Sequence, residues 1–555
     1  MEELRTRLKK VIKNIFGIDF DVTITPAPEG VKADFASNVA MQLAKEVHQA
    51  PVVIAKQIAE KMADYEVEIA GPGFLNFTLS DEYFSRKIAN FAVDFDKNIS
   101  CDEYLGKSVI TEFSDPNPFK VLHVGHLYTS IVGEAISRLI EFAGANVHRV
   151  NFGGDVGLHV AKTMYRMLER KAEMADLMPY QRAEFMAECY VEGTRLYDEA
   201  EEAHNRIVEL NKEIYEIVAN DKHDSELAQI YWTGREWSYA YFDDFYARIG
   251  VKFEKYYPES TVAKRGLDTV KEQLNNGVYE ESDGAIIYRG EKMGLHTRVF
   301  INKEGLPTYE AKDVGLILTK WDDYKFDESV VITGSDIIDY MKVVLSSIKE
   351  FRPELVERTD HITHGNVRLP GNEKMSSRKG NFLRAVDVLD MVQDALNAAY
   401  DKVDERIVMG AVKYAFLKYR IGGDIIFNVE DSVSMNGNSG PYLQYSCVRA
   451  KKILEKCQEN EKTVYETGDA VVYVKTLGRK ITEYKDVLKG VIDEKAPHKL
   501  CNYLYELAQD FSRFYENVKV AGNKDEKELK QLVEVYLKVM THGLNLLGIE
   551  IPEEM

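Results

Sequence analysis

The chain has 555 residues, of which 45% are hydrophobic and 11% aromatic, which is enough for several cores and excludes an intrinsically disordered polypeptide. At roughly 150 residues per domain, this length indicates three or four domains. The net charge of −20 favours solubility and does not by itself indicate a polyanionic partner. The negative charge is unevenly distributed, since residues 161–230 alone hold 9 Lys and Arg against 16 Asp and Glu. Other surfaces can therefore be neutral or basic.

Neither a membrane nor an oxidising compartment is expected. No run approaches about 18 consecutive apolar residues, and charged residues occupy the N-terminus where a signal peptide needs a hydrophobic stretch. The five cysteines are scattered and form no C-x-x-C pair, so we expect reduced thiols and no zinc site. Cytoplasmic localisation follows as an expectation.

The first predicted domain is a small α+β unit over residues 1–105. Its first helix places Leu4, Leu8 and Ile12 on one face and basic residues on the remaining positions. A second helical pattern, a helix start at Pro51 and an alternating strand pair closed by a tight turn, VEIAGPGFLNFTLS, complete this domain.

Residues 106–385 are predicted to form a Rossmann-like, doubly wound parallel-sheet domain. A buried strand, KSVITEF, is followed by an irregular loop, a helix over Val124–Phe142 and a second strand, NVHRVNF, which together make a right-handed β-α-β unit. Residues at about 160–248 are predicted to be a helical insertion, after which strand patterns resume at GAIIYRG, TRVFINK and ESVVITG. Residues 386–555 are predicted to be an all-α domain.

Two histidines, His123 and His126, follow the first strand and begin the helix after it. Three residues apart, they share one side of the first helical turn, where backbone N–H groups attract phosphate. Gly125 between them lets a flat ring lie against the backbone. This geometry suits a nucleoside triphosphate, although an H-x-x-H pair alone is also what a hydrogen-bonded helix cap would contain.

A basic loop about 250 residues downstream is the second candidate. It contains Lys374, Met375, Ser376, Ser377 and Arg378 between Gly371 and Gly380. Cations and hydroxyls on a mobile loop are what a departing pyrophosphate requires as its charge develops. Alone, such a loop is also an ordinary solvated turn, but its combination with the histidines on a parallel sheet favours phosphate chemistry.

The two clusters resemble the HIGH and KMSKS signatures of class I aminoacyl-tRNA synthetases, and the surrounding sequence resembles the arginyl-tRNA synthetases. The segments that carry the likeness span nearly the whole chain: GPGFLNFTLS, EFSDPNPFKVLHVGHLYTS, VNFGGDVGLHVAK, PTYEAKDVG, KMSSRKGN, SGPYLQYSCVRAKKIL and GLNLLGIEIPEEM. The resemblance implies ATP-dependent attachment of L-arginine to tRNA(Arg) through arginyl-adenylate, with release of AMP and pyrophosphate. It also implies that Mg²⁺ accompanies the ATP.

An arginine substrate presents a planar guanidinium, which carboxylates accept as a fork. By resemblance, Glu112, Tyr309 and Asp313 line the arginine pocket, and Asn117 holds the backbone end of the amino acid. Taken alone, Glu112 is also consistent with an exposed strand-end acid, and Asp313 beside Lys312 with a surface ion pair. A pocket built for a guanidinium can reject lysine by ~10⁴ to 10⁵ without proofreading, so no editing site is expected.

The chain departs from the family pattern at three positions. Val156 and His159 stand where relatives commonly have tryptophan and glutamine, and Ile337 stands, to within one or two residues, where many have a glutamine near the substrate. The contact to the α-amino group is therefore undefined. Lys120 matches a lysine that replaces the missing cation in relatives with a degenerate second motif, and here Lys120 and Lys374 are expected to share the phosphate charge.

The tRNA is expected to contact the basic first helix and the helix after Gly440. Residues 441–460 carry four Lys and Arg against two acidic residues, and Tyr442, Tyr445 and Arg449 are candidates for contacts with anticodon-loop bases. The tyrosines are equally consistent with ordinary helix packing. A monomer is expected, and by resemblance the amino acid is activated only with tRNA bound.

Three alternatives stay open on the sequence alone. The first is a class I synthetase for glutamate, glutamine, cysteine or lysine, although a thiolate-rich zinc site for cysteine is absent and a glutamate pocket would need cations where Glu112 and Asp313 stand. The second is a catalytically silent relative that only binds tRNA. The third is a nucleotidylyltransferase, which shares an H-x-G-H at a helix start but does not need two flanking RNA-binding domains.

Overall fold

A computed structural model describes residues 2–27, 31, 33–62, 65–79, 81–371, 383–400, 403–457 and 471–555. The chain divides into two units. The first contains Met1–Ser100, Ser446–Asp493 and Tyr503–Gly543, and the second contains Cys101–Tyr445, Glu494–Asn502 and Leu544–Met555. The domain boundaries placed after residues 105 and 385 on the sequence stay predictions.

The N-terminal part of the first unit is an α+β fold. Its elements are α1 (Glu2–Phe16), β1 (Thr25–Pro26), β2 (Phe35–Ser37), α2 (Val39–Val47), α3 (Pro51–Ala59), β3 (Tyr65–Ala70), β4 (Phe74–Leu79), α4 (Asp81–Val93) and α5 (Phe95–Ile99). The four strands form an antiparallel sheet in the order β1-β2-β4-β3. Leu4, Leu8 and Ile12 of α1 are buried in its core, whereas Arg7 and Lys10 are exposed, because the helical period segregates the two sets.

The second unit contains the parallel sheet and the helices around it. Its elements are β5 (Ser108–Glu112), α6 (Val124–Phe142), β6 (Asn146–Gly153), α7 (Leu158–Glu169), α8 (Pro179–Glu199), α9 (Glu201–Ala219), α10 (Glu226–Ile249), β7 (Lys255–Pro258), α11 (Glu259–Asn275), β8 (Glu280–Ser282), β9 (Ala285–Tyr288), β10 (Arg298–Ile301), α12 (Tyr309–Tyr324), β11 (Glu328–Gly334), α13 (Ile338–Lys349), α14 (Pro353–Glu357), β12 (Thr359–His364), β13 (Val367–Arg368), α15 (Ala385–Ala399), α16 (Glu405–Leu417), β14 (Ile425–Ile426) and α17 (Val429–Ser432).

The remaining described elements are all helices, which confirms a helical C-terminal domain. The range predicted as all-α, residues 386–555, also contains the two-residue strand β14, which pairs with β13 of the catalytic part. They are α18 (Gly440–Lys456), α19 (Val471–Thr482), α20 (Tyr484–Asp493), α21 (Pro497–Asn517) and α22 (Glu526–Leu546). Within the first unit, the rings of Phe511 and Tyr536 stack at 4.0 Å between α21 and α22. Arg479 of α19 forms an ion pair with the buried Asp34, so these helices and the N-terminal sheet share one unit.

The central sheet has five parallel strands in the order β12-β11-β5-β6-β7, which confirms the Rossmann-like prediction. The chain runs from β5 outward to β6 and β7 on one side and to β11 and β12 on the other. The strand order therefore reverses at β5. In open α/β sheets, ligands bind outside the carboxyl ends of the strands at such a reversal.

The segment predicted as an insertion is helical throughout, from α7 to α10. The strand patterns that follow it divide between two sheets. GAIIYRG and TRVFINK form β9 and β10 of a separate antiparallel sheet with the order β10-β9-β8, and only ESVVITG joins the parallel sheet as β11. Among the described helices, none combines the length and apolarity that crossing a membrane requires.

Asp155 joins the sheet to both the insertion and α11. Its buried carboxylate accepts hydrogen bonds from the Ser260 backbone N–H (2.9 Å) and hydroxyl (2.7 Å) and from Arg235 Nε (3.0 Å). The Asp155 side chain is 0% exposed and that of Arg235 22% exposed. One carboxylate thus satisfies polar groups from two helices at the end of β6.

We expect Asp155→Ala to lower the free energy of unfolding of the second unit by about 3 to 5 kcal/mol, because it leaves the largely buried Arg235 guanidinium without its counter-ion. Urea denaturation followed by tryptophan fluorescence measures this, since Trp232, Trp237 and Trp321 all lie in this unit. Asp268→Ala, which breaks an exposed pair with Lys264, serves as the control and should cost at most about 0.5 kcal/mol. If the two substitutions lowered the free energy of unfolding equally, the role of Asp155 as the buried counter-ion of Arg235 would be contradicted.

Candidate functional site

A cavity of about 920 Å³ lies at the carboxyl ends of the parallel strands. The ends of β5, β6, β11 and β12 contribute to its wall, together with the first turns of α6 and α12. Its position coincides with the reversal of strand order at β5. The cavity is therefore the candidate functional site.

The histidine pair caps α6 and lines this cavity. The two rings stack at 3.8 Å between centroids with 23° between their planes. The His123 backbone N–H donates to Nδ1 of His126 (3.2 Å), and the Gly125 backbone N–H donates to Nδ1 of His123 (3.1 Å). A Cβ at residue 125 would lie 2.8 Å from the His123 ring. The sequence allowed two interpretations of the histidine pair, a helix cap or a phosphate site. The two are compatible, because the cap hydrogen bonds hold both rings at the cavity.

Both imidazoles are neutral near pH 7. Burial, reinforced by the positive charge of Lys120, lowers the pKa of His123 to about 4. Burial and the neighbouring His123 lower the pKa of His126 well below its ordinary value. Because each Nδ1 accepts a backbone hydrogen bond, the single ring proton of each histidine lies on Nε2. The pair therefore offers Nε2–H donors without carrying charge.

The basic loop lies outside the described residues, and so do its members Lys374, Met375, Ser376, Ser377 and Arg378. The chain directly after it is described and lies beside the histidines. The Val124 N–H donates to the Leu383 carbonyl (2.9 Å), and the Ala385 N–H donates to the Leu122 carbonyl (2.9 Å). Leu383 also lines the cavity. The segment that directly follows the loop in the sequence therefore lies at the histidine end of the site.

Lys120 lies on the connection between β5 and α6, three residues before His123. Its Nζ lies 4.3 Å from the ring centroid of Tyr190, on α8. Its charge contributes to the lowered pKa of both His123 and His126, which places the ammonium near the pair. With both histidines it also lines a second, smaller cavity of about 210 Å³.

Acidic side chains converge in the larger cavity. Glu112, the last residue of β5, forms an ion pair with Lys320 of α12, and the Lys320 ammonium also donates to Ser329 Oγ (3.2 Å). The Glu112 and Lys320 side chains are 5% and 1% exposed, so Glu112 is not an exposed strand-end acid. A buried carboxylate without a partner would be strongly destabilising, and Lys320 supplies the compensating charge.

Two further carboxyl groups line the same cavity. Asp313 is buried and accepts a hydrogen bond from the Tyr340 hydroxyl. Burial, opposed by that hydrogen bond and reinforced by the charge of Glu112, raises the pKa of Asp313 to about 8. Burial and Glu112 also raise the pKa of Asp115 well above its usual range. A pKa of about 8 means that Asp313 holds a proton near neutral pH, which a bound cation would displace.

Asn117 and Tyr309 complete the set predicted for the amino acid. The Gly154 backbone N–H donates to Asn117 Oδ1 (2.8 Å), and a Cβ at residue 154 would lie 2.7 Å from that oxygen. Tyr309 is 55% exposed at the start of α12. The structure thus brings these predicted residues to one cavity: Glu112, Asn117, His123, Gly125, His126, Tyr309 and Asp313.

Sequence reasoning missed the groups that surround these carboxylates. Neither Lys320 nor Tyr340 belongs to a motif, and both reach the cavity region only through the packing of α12 and α13. Lys312, considered as a surface partner of Asp313, instead forms a buried ion pair with Glu259 at 2.6 Å. For Asp115 the sequence carried a signal, its place in the irregular SDPNP segment after β5, and the structure shows a backbone φ of 50° there, in the left-handed region.

The three departures from the family pattern occupy defined places. Val156 is fully buried. The His159 Nε2–H donates to the Gly154 carbonyl (2.8 Å), and burial with the charge of Lys120 lowers the pKa of His159 to about 3. Ile337 lines the cavity, and its side chain has no polar atom with which to bind an α-amino group.

The candidate tRNA contacts lie on α18. Tyr442, Tyr445 and Arg449 are half-buried, and the Arg449 guanidinium lies 4.9 Å from the ring centroid of Tyr515. This burial is compatible with helix packing as well as with base stacking. Their role in tRNA binding stays a prediction.

We expect His123 and His126 to remain neutral, with the proton on Nε2, from pH 5.5 to 8. An ordinary imidazole titrates near 6.5, so the absence of titration in this range would show that the pKa of both histidines is lowered. Nitrogen chemical shifts of histidine-labelled protein measure both charge and tautomer, and His123→Asn and His126→Asn assign the signals. Protonation of either ring above pH 6 would contradict the burial argument.

Comparisons with known proteins identify the family of the chain. Three family models match successive parts of the chain: the arginyl tRNA synthetase N terminal domain over residues 2–79, the catalytic domain of tRNA synthetases class I (R) over residues 93–428, and the DALR anticodon binding domain over residues 443–555. The catalytic model alone covers more than half of the chain. This excludes the other amino acid specificities and the nucleotidylyltransferase considered above.

Individual relatives span the chain from end to end. An arginine–tRNA ligase of Clostridium perfringens is 30% identical over 570 residues, covering 96% of both chains, and one of Treponema denticola is 27% identical over 604 residues, covering 100% of both. Arginyl-tRNA synthetases of Thermus thermophilus and Plasmodium falciparum share the fold, with TM-scores of 0.77 and 0.74 at 20% identity, covering 100% of this chain and 100% and 99% of theirs. The chain belongs to the class I arginyl-tRNA synthetases, which charge tRNA(Arg) with arginine in an ATP-dependent reaction.

Proposed function

We propose that the larger cavity binds arginine among its carboxylates and ATP at the histidine pair, and that both steps of charging take place there. The observation that supports this is the presence, in one cavity, of buried acidic groups and of neutral donors at a helix N-terminus. The acidic groups match a cation, and the donors match phosphate. The monomeric state expected from the sequence stays a prediction.

The guanidinium of arginine is proposed to lie between Glu112 and Asp313. Lys320 already engages Oε2 of Glu112, so Oε1 is the oxygen proposed to accept from the guanidinium. A planar fork with five donors can contact both carboxylates, whereas the compact ammonium of a lysine substrate leaves acceptors unpaired. Discrimination then needs no editing site, and the helical insertion is consistent with this.

In the first step, a carboxylate oxygen of arginine attacks the α-phosphorus in line, and the bond from that phosphorus to the bridging oxygen breaks as pyrophosphate leaves. Asn117 is proposed to hold the backbone end of the amino acid. His123 and His126 are proposed to donate from Nε2–H as negative charge builds on the phosphate oxygens. Neutral donors suit this task because a buried imidazolium would need a counter-ion in the absence of ATP, whereas a neutral imidazole does not.

The cations are proposed to act on the phosphates. Mg²⁺ would enter with ATP as part of the substrate, and Lys120 would share the pyrophosphate charge with Lys374. The nearness of Lys120 to both histidines supports its part.

In the second step, the 2′-hydroxyl of the terminal ribose is proposed to attack the carbonyl carbon of arginyl-adenylate. The ester bond forms, the bond to AMP breaks, and the hydroxyl proton leaves with AMP. The exposed basic residues of α1 and the half-buried Tyr442, Tyr445 and Arg449 of α18 are proposed to contact the tRNA. The match of residues 443–555 to an anticodon binding domain supports the contacts of Tyr445 and Arg449, which lie within that range. Dependence of the first step on bound tRNA stays an expectation, as does the cytoplasmic location.

Pyrophosphate exchange with each of the twenty amino acids, with and without tRNA(Arg), tests the arginine site. We expect exchange with arginine only, and a loss of roughly 10- to 150-fold in kcat/KM for arginine in Glu112→Gln, because one charge-assisted hydrogen bond is removed. Glu254→Gln is the matched control, since Glu254 is half-exposed and pairs with His148. A Glu112→Gln enzyme within twofold of wild type would show that the guanidinium binds elsewhere.

We expect the KM for arginine to fall as pH rises from 6.5 to 8. Asp313 has its pKa raised to about 8 in the empty site, so binding a guanidinium below that pH must expel a proton. For one proton the KM changes by up to about tenfold per pH unit and levels off above pH 8. Steady-state kinetics at saturating ATP measure it, and a KM for arginine that is constant across this range would contradict the assignment.

A further inference from the structure

The segment that joins β5 to α6, residues 113–123, has an unusual backbone. This β5–α6 connection contains Asn117 and Lys120, and His123 is its last residue. Three of its residues have a positive φ: Ser114 (73°), Asp115 (50°) and Phe119 (65°). Left-handed backbone is unfavourable for residues other than glycine and persists only where the surrounding structure holds it. The contacts around the connection therefore decide where its functional groups lie.

The middle of the connection is held by α10, the last helix of the insertion. The Phe119 N–H donates to Ser238 Oγ (2.8 Å), and the Ser238 hydroxyl donates to the Gly234 carbonyl (2.7 Å). The Phe119 ring is fully buried and lies so close to the helix that a Cβ at residue 234 would be 2.6 Å from it. A left-handed residue is thus fixed to α10 through both its backbone and its side chain.

Two tyrosines of α10 contact the connection on either side of this point. Near its start, the hydroxyls of Ser114 and Tyr246 are hydrogen-bonded at 2.8 Å, and Asn151 of β6 donates to the same tyrosine oxygen (3.3 Å). Near its end, the Leu122 N–H donates to the Tyr241 hydroxyl (3.3 Å). One helix of the insertion therefore holds the connection near its start, in its middle and near its end.

We propose that Tyr241 and Tyr246 are positioning residues for the charging reaction, whose hydroxyls hold the β5–α6 connection in the geometry that brings Asn117 and His123 to the substrates. This inference rests on the proposed roles of those two residues. Neither tyrosine lines the larger cavity, so each acts through the connection and not on a substrate. A misplacement of about 1 Å at the reacting groups can cost roughly a hundredfold in rate, so hydrogen bonds outside the cavity can control the chemical step.

The first test removes each hydroxyl and keeps its ring. In pyrophosphate exchange with arginine and tRNA(Arg) present, we expect Tyr241→Phe and Tyr246→Phe each to lower kcat at least about tenfold, because the reacting groups lose their alignment. The KM values for arginine and ATP should change less than about threefold, because the carboxylates proposed to bind the guanidinium lie outside the connection. The kcat is calculated per ATP-binding site, counted by equilibrium dialysis, so that unfolded enzyme does not contribute.

Tyr239→Phe is the matched control on the same helix. The Arg235 guanidinium lies 5.1 Å from the Tyr239 ring centroid, and within the described part of the chain the Tyr239 hydroxyl makes no hydrogen bond to the connection. We expect this variant to keep the wild-type kcat and both KM values. An unchanged kcat in either Tyr241→Phe or Tyr246→Phe, or an equal loss in Tyr239→Phe, overturns the proposal.

The nitrogen chemical shifts of labelled His123 measure its placement independently of activity. Leu122, which Tyr241 holds, directly precedes His123, so Tyr241→Phe should shift the His123 signals, and Tyr239→Phe should leave them unchanged. Unchanged His123 signals in Tyr241→Phe overturn the positioning role of that hydroxyl.

A double variant shows whether Tyr241 acts through His123. We expect Tyr241→Phe to lower kcat in the wild-type enzyme but not further in His123→Asn, because the effects of residues that act as a unit do not add. Losses that multiply in the double variant overturn the proposal. Full activity of His123→Asn alone would instead reject the proposed phosphate role of that histidine, and the His123 spectra would still decide whether Tyr241 positions the ring.

Discussion

The buried ion pair between Glu112 and Lys320 is the interaction on which the active site depends. β5 is the central strand of the sheet, and the carboxylate of Glu112 at its end is buried. Burying a carboxylate costs several kcal/mol unless an opposite charge compensates it. Lys320 lies on α12, the helix that also carries Tyr309 and Asp313. One helix therefore supplies both the counter-ion and the second carboxylate, so the register of α12 against β5 sets the geometry of the proposed arginine pocket.

Burial acts on the two ends of the cavity with opposite chemical results. At the histidine end it favours neutral imidazoles, which can donate hydrogen bonds without repelling Lys120. At the carboxylate end it raises the pKa of Asp313 to about 8 and the pKa of Asp115 well above its usual range. In both places desolvation disfavours the charged form, so the cavity carries less charge than its composition suggests. In the proposed function the substrates bring the charges, and residues that are already in position bind them.

The net charge of −20 is a property of the whole chain and does not describe each surface separately. On the insertion, several glutamates pair with arginines within one or two helical turns or on the adjacent helix, although acidic residues outnumber basic ones there. The basic side chains that face outward on α1 are a separate surface. Net charge therefore describes solubility here and says little about where tRNA binds.

Local patterns determined much of this protein from the sequence alone. The helix over Val124–Phe142, the strands on either side of it and the histidine cap were predictable, because each depends on residues a few positions apart. Only the tertiary structure showed that β9 and β10 belong to a separate sheet and not to the parallel sheet. It also showed that Glu112 is buried against Lys320, 208 residues away in the sequence. Periodicity reports which face of an element is apolar, whereas sheet membership and the partner of a buried charge depend on which distant segment packs against it.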